Sequence, residues 1–230
     1  MLFDAAGTLI ETSEPVGETY TRMARRFGVE LPAWRVQGAF GRILRGAAPM
    51  VFPATPASGI PGLERAWWHA IVRSTFLAAD STVRFADFDA FFDALYATYA
   101  RPGAWRCRPG SREALAALHE RGLTTAVVSN FDGRLPGLLA GLGLAPLLDA
   151  VVLASDAGAC KPDPRIFQLA LERLGIPASA SVFVGDSTER DVAGARAAGM
   201  RAIDAGSLAT LAELPDRLGA LATTDRGLHE

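Results

Sequence analysis

The chain is poor in several residue types, and each scarcity excludes something. It holds two cysteines in 230 residues, Cys107 and Cys160. Two cannot build a disulfide framework and their spacing matches no metal knot, so a reducing, cytoplasmic setting is expected. The three histidines, His69, His119 and His229, are scattered and form no motif. Neither sign of charge is in excess: 23 basic residues face 25 acidic ones, a formal net charge of −2. That balance gives no reason to expect a nucleic-acid or anionic-membrane partner. No apolar run approaches the roughly 20 residues of a membrane-spanning helix. Asp4 follows Met1 so closely that no export signal is expected. The first strand is also meagre, with only Leu2 and Phe3 ahead of Asp4, where a buried strand usually runs five or six residues.

What is present is apolar residue in quantity. Half of the chain is hydrophobic, enough for one large core or for a core with a smaller insert. From about 13 to 104 the apolar spacing is helical and no strand stands out. Val16, Tyr20, Met23, Ala24 and Phe27 mark a first helix that stops at Gly28. A second helix is expected near Trp34 to Leu44, followed by a proline-rich loop that runs through Pro61. A third is expected from Leu63 to Ser74, and a fourth over Phe85 to Tyr99. Trp34, Phe40, Phe52, Trp67, Trp68 and Phe76 are expected in the core of this unit.

From 105 onward, strand and helix alternate. Strands are expected at Leu123–Val128, Ala150–Ala154, Ser181–Val184 and Arg201–Asp204. Helices are expected at Ser111–Arg121, Gly133–Leu142, from Pro164 to the residue before Gly175, and at Thr188–Ala198. With the strand at Leu2 this makes a five-stranded parallel α/β sheet, Rossmann-like, covered by helices. The domains are accordingly 1–12 with 105–230 as the core and 13–104 as an all-helical insertion above its carboxyl edge. The last residues, from about Thr223, are expected to fray.

The polar residues that carry chemistry sit just behind the strands, where loops of a parallel sheet meet in one crevice. Asp4 ends the first strand and precedes Gly7 and Thr8. A carboxylate there can attack an electrophile, although a lone Asp more often caps a turn. Ser129 and Asn130 follow the second core strand, where a hydroxyl and a free N–H can hold phosphate oxygens. Lys161 precedes Pro162, Asp163 and Pro164, and an ammonium aimed at the crevice would neutralise charge on a transferring group. Asp186 ends a strand and Asp191 lies in the first turns of the next helix. Paired carboxylates of this kind suit Mg²⁺, which takes oxygen ligands. Arg134, just beyond the Ser129 loop, has a better claim on an anionic ligand than Arg42 or Arg45, though solvent is the commoner fate of an arginine.

The ordered set Asp4-Ala-Ala-Gly-Thr-Leu9, Ser129-Asn130, Lys161-Pro-Asp-Pro164 and Gly185-Asp186-Ser187 with Asp191 resembles the haloacid-dehalogenase superfamily of hydrolases. Glu14-Pro-Val-Gly-Glu-Thr-Tyr20, Trp67-Trp68 and Ser129-Asn-Phe-Asp-Gly-Arg-Leu-Pro136 look like its rhythmically-expressed-gene-two-like branch. The resemblance implies a helical cap on a Rossmann-like core, with Asp4 as nucleophile. It implies Gly7, Thr8, Ser129, Asn130 and Lys161 around the substrate. It also implies Asp4, the Ala6 backbone carbonyl, Asp186 and Asp191 on or near Mg²⁺. The expected substrate is a small phosphorylated molecule, and the expected state a monomer or homodimer.

One position departs from the pattern. Phosphatases of the superfamily usually carry a second Asp where this chain has Ala6, to protonate the leaving oxygen and later activate water. Losing a general acid/base typically costs roughly 10²- to 10⁴-fold in rate. Three activities therefore stay open: a slow Mg²⁺-dependent phosphatase, a metal-free haloacid dehalogenase, whose halide needs no proton, and a protein that binds a phosphorylated ligand without turning it over.

Overall fold

The computed structural model describes residues 1–218. Its strands are β1 (Leu2–Phe3), β2 (Ile10–Thr12), β3 (Trp105–Cys107), β4 (Ala126–Ser129), β5 (Ala150–Leu153), β6 (Val182–Gly185) and β7 (Arg201–Asp204). Its helices are α1 (Val16–Ala24), α2 (Ala33–Gly46), α3 (Ile60–Ala79), α4 (Phe88–Tyr99), α5 (Ser111–Glu120), α6 (Leu135–Gly141), α7 (Ala154–Ala157), α8 (Pro164–Leu174) and α9 (Gly194–Ala197). Five strands form one parallel sheet in the order β5-β4-β1-β6-β7. The chain therefore builds outward from β1 in one direction, returns, and continues from β6 in the other. That reversal puts a crevice at the carboxyl ends of β1 and β6, the position where open α/β sheets bind ligands.

The sheet is a Rossmann-like layer between two apolar layers, and the period-two geometry of a strand makes it so. Phe3, Val127 and Val184 point to one face, against Leu115 and Leu118 of α5 and Leu139 of α6. Leu2, Ala126, Val128 and Phe183 point to the other, against Ile166 and Phe167 of α8. Even a two-residue β1 thus supplies one anchor to each side, and both its residues are fully buried. Helices α1–α4 gather round a third cluster, built on Tyr20, Phe76, Phe91, Phe92 and Leu95.

Several expectations are corrected. The chain leaves and returns to the core through a small antiparallel ribbon, β2 paired with β3. Three-residue strands this far apart in sequence carry no periodic signal of their own. Pro61 is not in the loop but in the first turn of α3, where its missing N–H is no loss, and α3 runs on to Ala79. Trp34 is 76% exposed rather than packed, because the buried residues of α2 are Val36 and Ala39, on another face of the helix. The expected helix from Thr188 to Ala198 begins instead as wide π-helical turns over Thr188–Ala193 before narrowing to α9. The expectation of fraying from about Thr223 falls outside the described residues.

Helices α3 and α4 are tied to the loop after β4. Trp68 Nε1 donates to Asp132 Oδ2 at 2.7 Å, and Glu64 Oε2 accepts from Gly133 N at 3.0 Å. Arg134 donates to the Tyr96 carbonyl. The loop that carries Ser129 is thus held from the helical side as well as from the sheet.

Candidate active site

The carboxyl ends of β1, β4 and β6 bring the separated polar residues together. Asp4 is nearly buried at the end of β1, and its backbone N–H donates to Val184 O on β6 at 2.9 Å. Lys161 Nζ lies 2.6 Å from Asp4 Oδ1 and 2.6 Å from Asp191 Oδ1, so one ammonium bridges two carboxylates. Ser129 Oγ donates to Asp4 Oδ1 at 3.3 Å and itself accepts from Phe131 N at 3.2 Å. Asp186 stands exposed at the mouth, and carboxylate oxygens of Asp4, Asp186 and Asp191 lie within 4.8 Å of one another.

Local structure explains each placement. The Ala5 carbonyl accepts from the N–H groups of Thr8, Leu9 and Ile10, closing a tight turn after Asp4. Gly7 sits in that turn at φ +95°. A Cβ on Gly7 would run into the Asp186 carboxylate, 2.8 Å from its Cγ. Glycine there serves both backbone and close approach. Gly7→Ala is therefore expected to push Asp186 aside and to cost about 1–3 kcal/mol, several degrees of melting temperature in a chain of this size. A crystal structure of the variant with Asp186 unmoved, together with an unchanged melting point, would contradict this account.

Asp191 owes its position to the π-helical turns. Val192 N donates to Ser187 O at 3.1 Å, a bond spanning five residues. Asp191 Oδ2 turns back to accept from Ser187 N at 3.0 Å. Its other oxygen is buried beside Lys161, off hydrogen-bonding angle. Wide turns of this kind are frequent at functional sites.

The remaining sequence candidates divide. Asn130 does not face a ligand with its amide. Oδ1 accepts from Lys161 N at 2.8 Å and Nδ2 donates to Lys161 O at 3.1 Å, so the side chain clamps the Lys161 backbone to the β4 loop. Thr8 is fully buried and its hydroxyl has no partner among the described residues, so in this structure it is closed to a ligand. Ala6 is exposed in the turn, with only a methyl where an acid could stand. Arg134 is not free for an anion either. It forms a two-point ion pair with the fully buried Asp132 and lies 3.9 Å over the Tyr96 ring.

Electrostatics mark the site as short of positive charge. Burial pushes the Asp4 carboxyl above the usual carboxylate range; Lys161 opposes the shift and Asp191 adds to it. Asp186 is raised too, by partial desolvation first and then by the charges of Asp4 and Asp191. Three carboxylates share one ammonium. The hard oxygen donors and the charge imbalance together fit a divalent cation such as Mg²⁺, with Asp4, Asp186 and Asp191 as the residues that could hold it.

Sequence reasoning overlooked one signal. Lys161 is the only lysine among 23 basic residues, and Asn130 is the only asparagine. These two lone residues are hydrogen-bonded to each other, and the lysine touches both buried carboxylates. Elsewhere arginine supplies the basic charge. Here a compact ammonium is required, because a planar guanidinium cannot sit as a point charge between two carboxylates. Asp132 lies within the Ser129–Pro136 segment but was given no role there, and Glu64, which holds that loop from α3, carried no motif.

Comparison with known proteins bears on this geometry. The model of a family of hydrolases, the haloacid dehalogenase-like hydrolases, matches residues 1–199. A mouse relative, haloacid dehalogenase-like hydrolase domain-containing protein 3, is 38% identical over 201 residues, covering 87% of this chain and 78% of that protein. The rhythmically expressed gene 2 protein of Drosophila melanogaster is 27% identical over 183 residues, 76% of this chain and 68% of its own. A phosphoserine phosphatase from Thermus thermophilus is 38% identical over 99 residues, 41% of this chain and 39% of its own.

Proposed function

The chain belongs to the haloacid dehalogenase-like hydrolases, and on that footing we propose that it is a Mg²⁺-dependent phosphatase acting on a small phosphorylated molecule through a phosphoryl group carried on Asp4. The observation that supports this most is the convergence of Asp4, Asp186 and Asp191 around a single Lys161 ammonium. A phosphate dianion brought into this site needs cationic charge, and the acidic triad is the place for a divalent ion to supply it. Bound Mg²⁺ would offset negative charge on the phosphoryl oxygens.

The chain's own residues do the rest. An Asp4 carboxylate oxygen attacks phosphorus, and the bond from phosphorus to the ester oxygen breaks with its electron pair going to the leaving oxygen. Lys161 holds charge beside the attacking carboxylate, and the Ser129 hydroxyl orients it. Water then attacks the phosphoryl group, returning Asp4 and releasing inorganic phosphate. Phosphoryl transfer through a loose transition state relies on positioning and charge, so the site can work without an acid at Ala6 when the leaving group needs no proton. In this reading the helices between β2 and β3 act as a cap over the crevice, and closure excludes water.

The test is hydrolysis of acetyl phosphate and of glycerol phosphate, with Mg²⁺ and with EDTA, in the wild type and in Ala6→Asp. We expect Mg²⁺-dependent release of phosphate from acetyl phosphate. We expect Ala6→Asp to raise the rate on glycerol phosphate by roughly 10²-fold, the lower end of a general acid's contribution, and to change the acyl phosphate rate little. Ala6 also favours a second reading, a dehalogenase, because halide departs unprotonated. Chloride release from a haloacid in EDTA, with no phosphate release in Mg²⁺, would select it.

A further inference from the structure

Between helices α1–α4 and the loop after β4 lies a cavity with about 80 Å³ open to the centre of a water molecule. One water needs only roughly 10–15 Å³ by such a measure, so the space suits a larger group. All three tyrosines of the chain, Tyr20, Tyr96 and Tyr99, line it. Phe40, Trp68, Phe92, Trp105 and Phe131 complete the aromatic wall. The one charged residue on the wall, Arg134, is already neutralised by buried Asp132. The occupant is therefore apolar or aromatic and carries no charge of its own, since an ion would find no free partner here.

The cavity adjoins the loop that carries Ser129. The Phe131 ring lines it, while the Phe131 N–H donates to Ser129 Oγ, which donates to Asp4 Oδ1. Two hydrogen bonds thus separate the attacking carboxylate from the cavity wall. The exposed methyl of Ala6 adds a second, independent constraint. The leaving group must depart without an acid, as an aryloxide does and an alkoxide does not.

We propose that this cavity is the leaving-group subsite and that the substrate is an aryl phosphate monoester, with its ring among Tyr20, Tyr96, Tyr99 and Trp105. This rests on the phosphatase reading above. Asp4 attacks phosphorus, the bond from phosphorus to the aryl oxygen breaks, and the aryloxide leaves with the electron pair and takes its proton from water.

The experiment compares two non-hydrolysable probes, phenylphosphonate and methylphosphonate, by calorimetric titration of the full chain in Mg²⁺. We expect phenylphosphonate to bind roughly tenfold or more tightly, the gain from burying a ring. Val72→Phe, which adds bulk to the cavity wall, should shrink that ratio to about threefold or less. Equal affinities in the wild type overturn the subsite whatever the variant does, so a variant that fails to fold leaves the proposal decidable. A preference that survives in folded Val72→Phe also overturns it. Turnover separates the two readings: Mg²⁺-dependent hydrolysis of acetyl phosphate with no preference for the phenyl probe rejects the subsite alone. Phenyl preference without hydrolysis of any phosphate leaves a ring-binding cavity but rejects the phosphatase and, with it, the leaving-group role.

Discussion

Asp4→Asn is expected to abolish phosphate release, by at least roughly 10⁴-fold, in a protein that still folds. The change keeps the shape of the side chain and leaves an oxygen that can accept from Ser129 Oγ and from Lys161 Nζ, the two side chains that donate to Asp4. It removes the nucleophile, because a neutral amide oxygen does not attack phosphorus at a useful rate. Folding should tolerate it. Burial already disfavours the charged form of Asp4, so a neutral isostere relieves part of the desolvation cost even as it loses the charge attraction to Lys161. Intact-mass spectra of acid-quenched reactions supply the second readout: a phosphoryl adduct is expected on the wild type and none on Asp4→Asn. A variant retaining a tenth of wild-type turnover would remove Asp4 from the role of nucleophile.

Lys161→Met carries the largest expected effect on stability. The lysine is 5% exposed and lies within 2.6 Å of two carboxylates that are themselves buried or nearly so. Removing it leaves Asp4 and Asp191 facing each other without a counter-charge. Breaking a buried ion pair from one side costs about 3–5 kcal/mol, on the order of 10 °C in melting temperature for a chain this long. Lys161→Arg should not rescue it. The guanidinium is larger, and the Phe183 ring lies 5.3 Å from Nζ, so overpacking of about 1–3 kcal/mol is expected instead. The double variant Lys161→Met with Asp191→Asn should recover a good part of the loss, since it removes one of the two stranded charges. If Lys161→Met melts with the wild type, the ion triad is not what holds the crevice together.

These two residues also show how far the chain could be read without coordinates. Asp4, Ser129, Lys161, Asp186 and Asp191 were legible because each follows a short apolar strand, and parallel strands deliver their carboxyl ends to one edge. The same logic placed Asn130 beside a ligand through its backbone N–H, but it could not show that the side-chain amide is bound at both ends to the Lys161 backbone. Arg134 met the same limit. Nothing local distinguishes an arginine that meets a substrate from one paired with a buried Asp132 two residues earlier. Trp34 has the composition of a core residue and the helical phase of a surface one, and the phase decided.

The sequence by itself determined the alternation of strand and helix, the interruption after the first strand and the chemical types at the strand ends. All of these follow from spacing along a few residues, where backbone geometry leaves little choice. Only the tertiary structure decided which of those groups touch. The π-helical turns that swing Asp191 towards Lys161, the glycine that admits Asp186 beside Asp4 and the aromatic cavity behind Ser129 each join residues distant in the chain. Such contacts are fixed by packing of whole elements against one another, and no local pattern encodes the distance across which two elements meet.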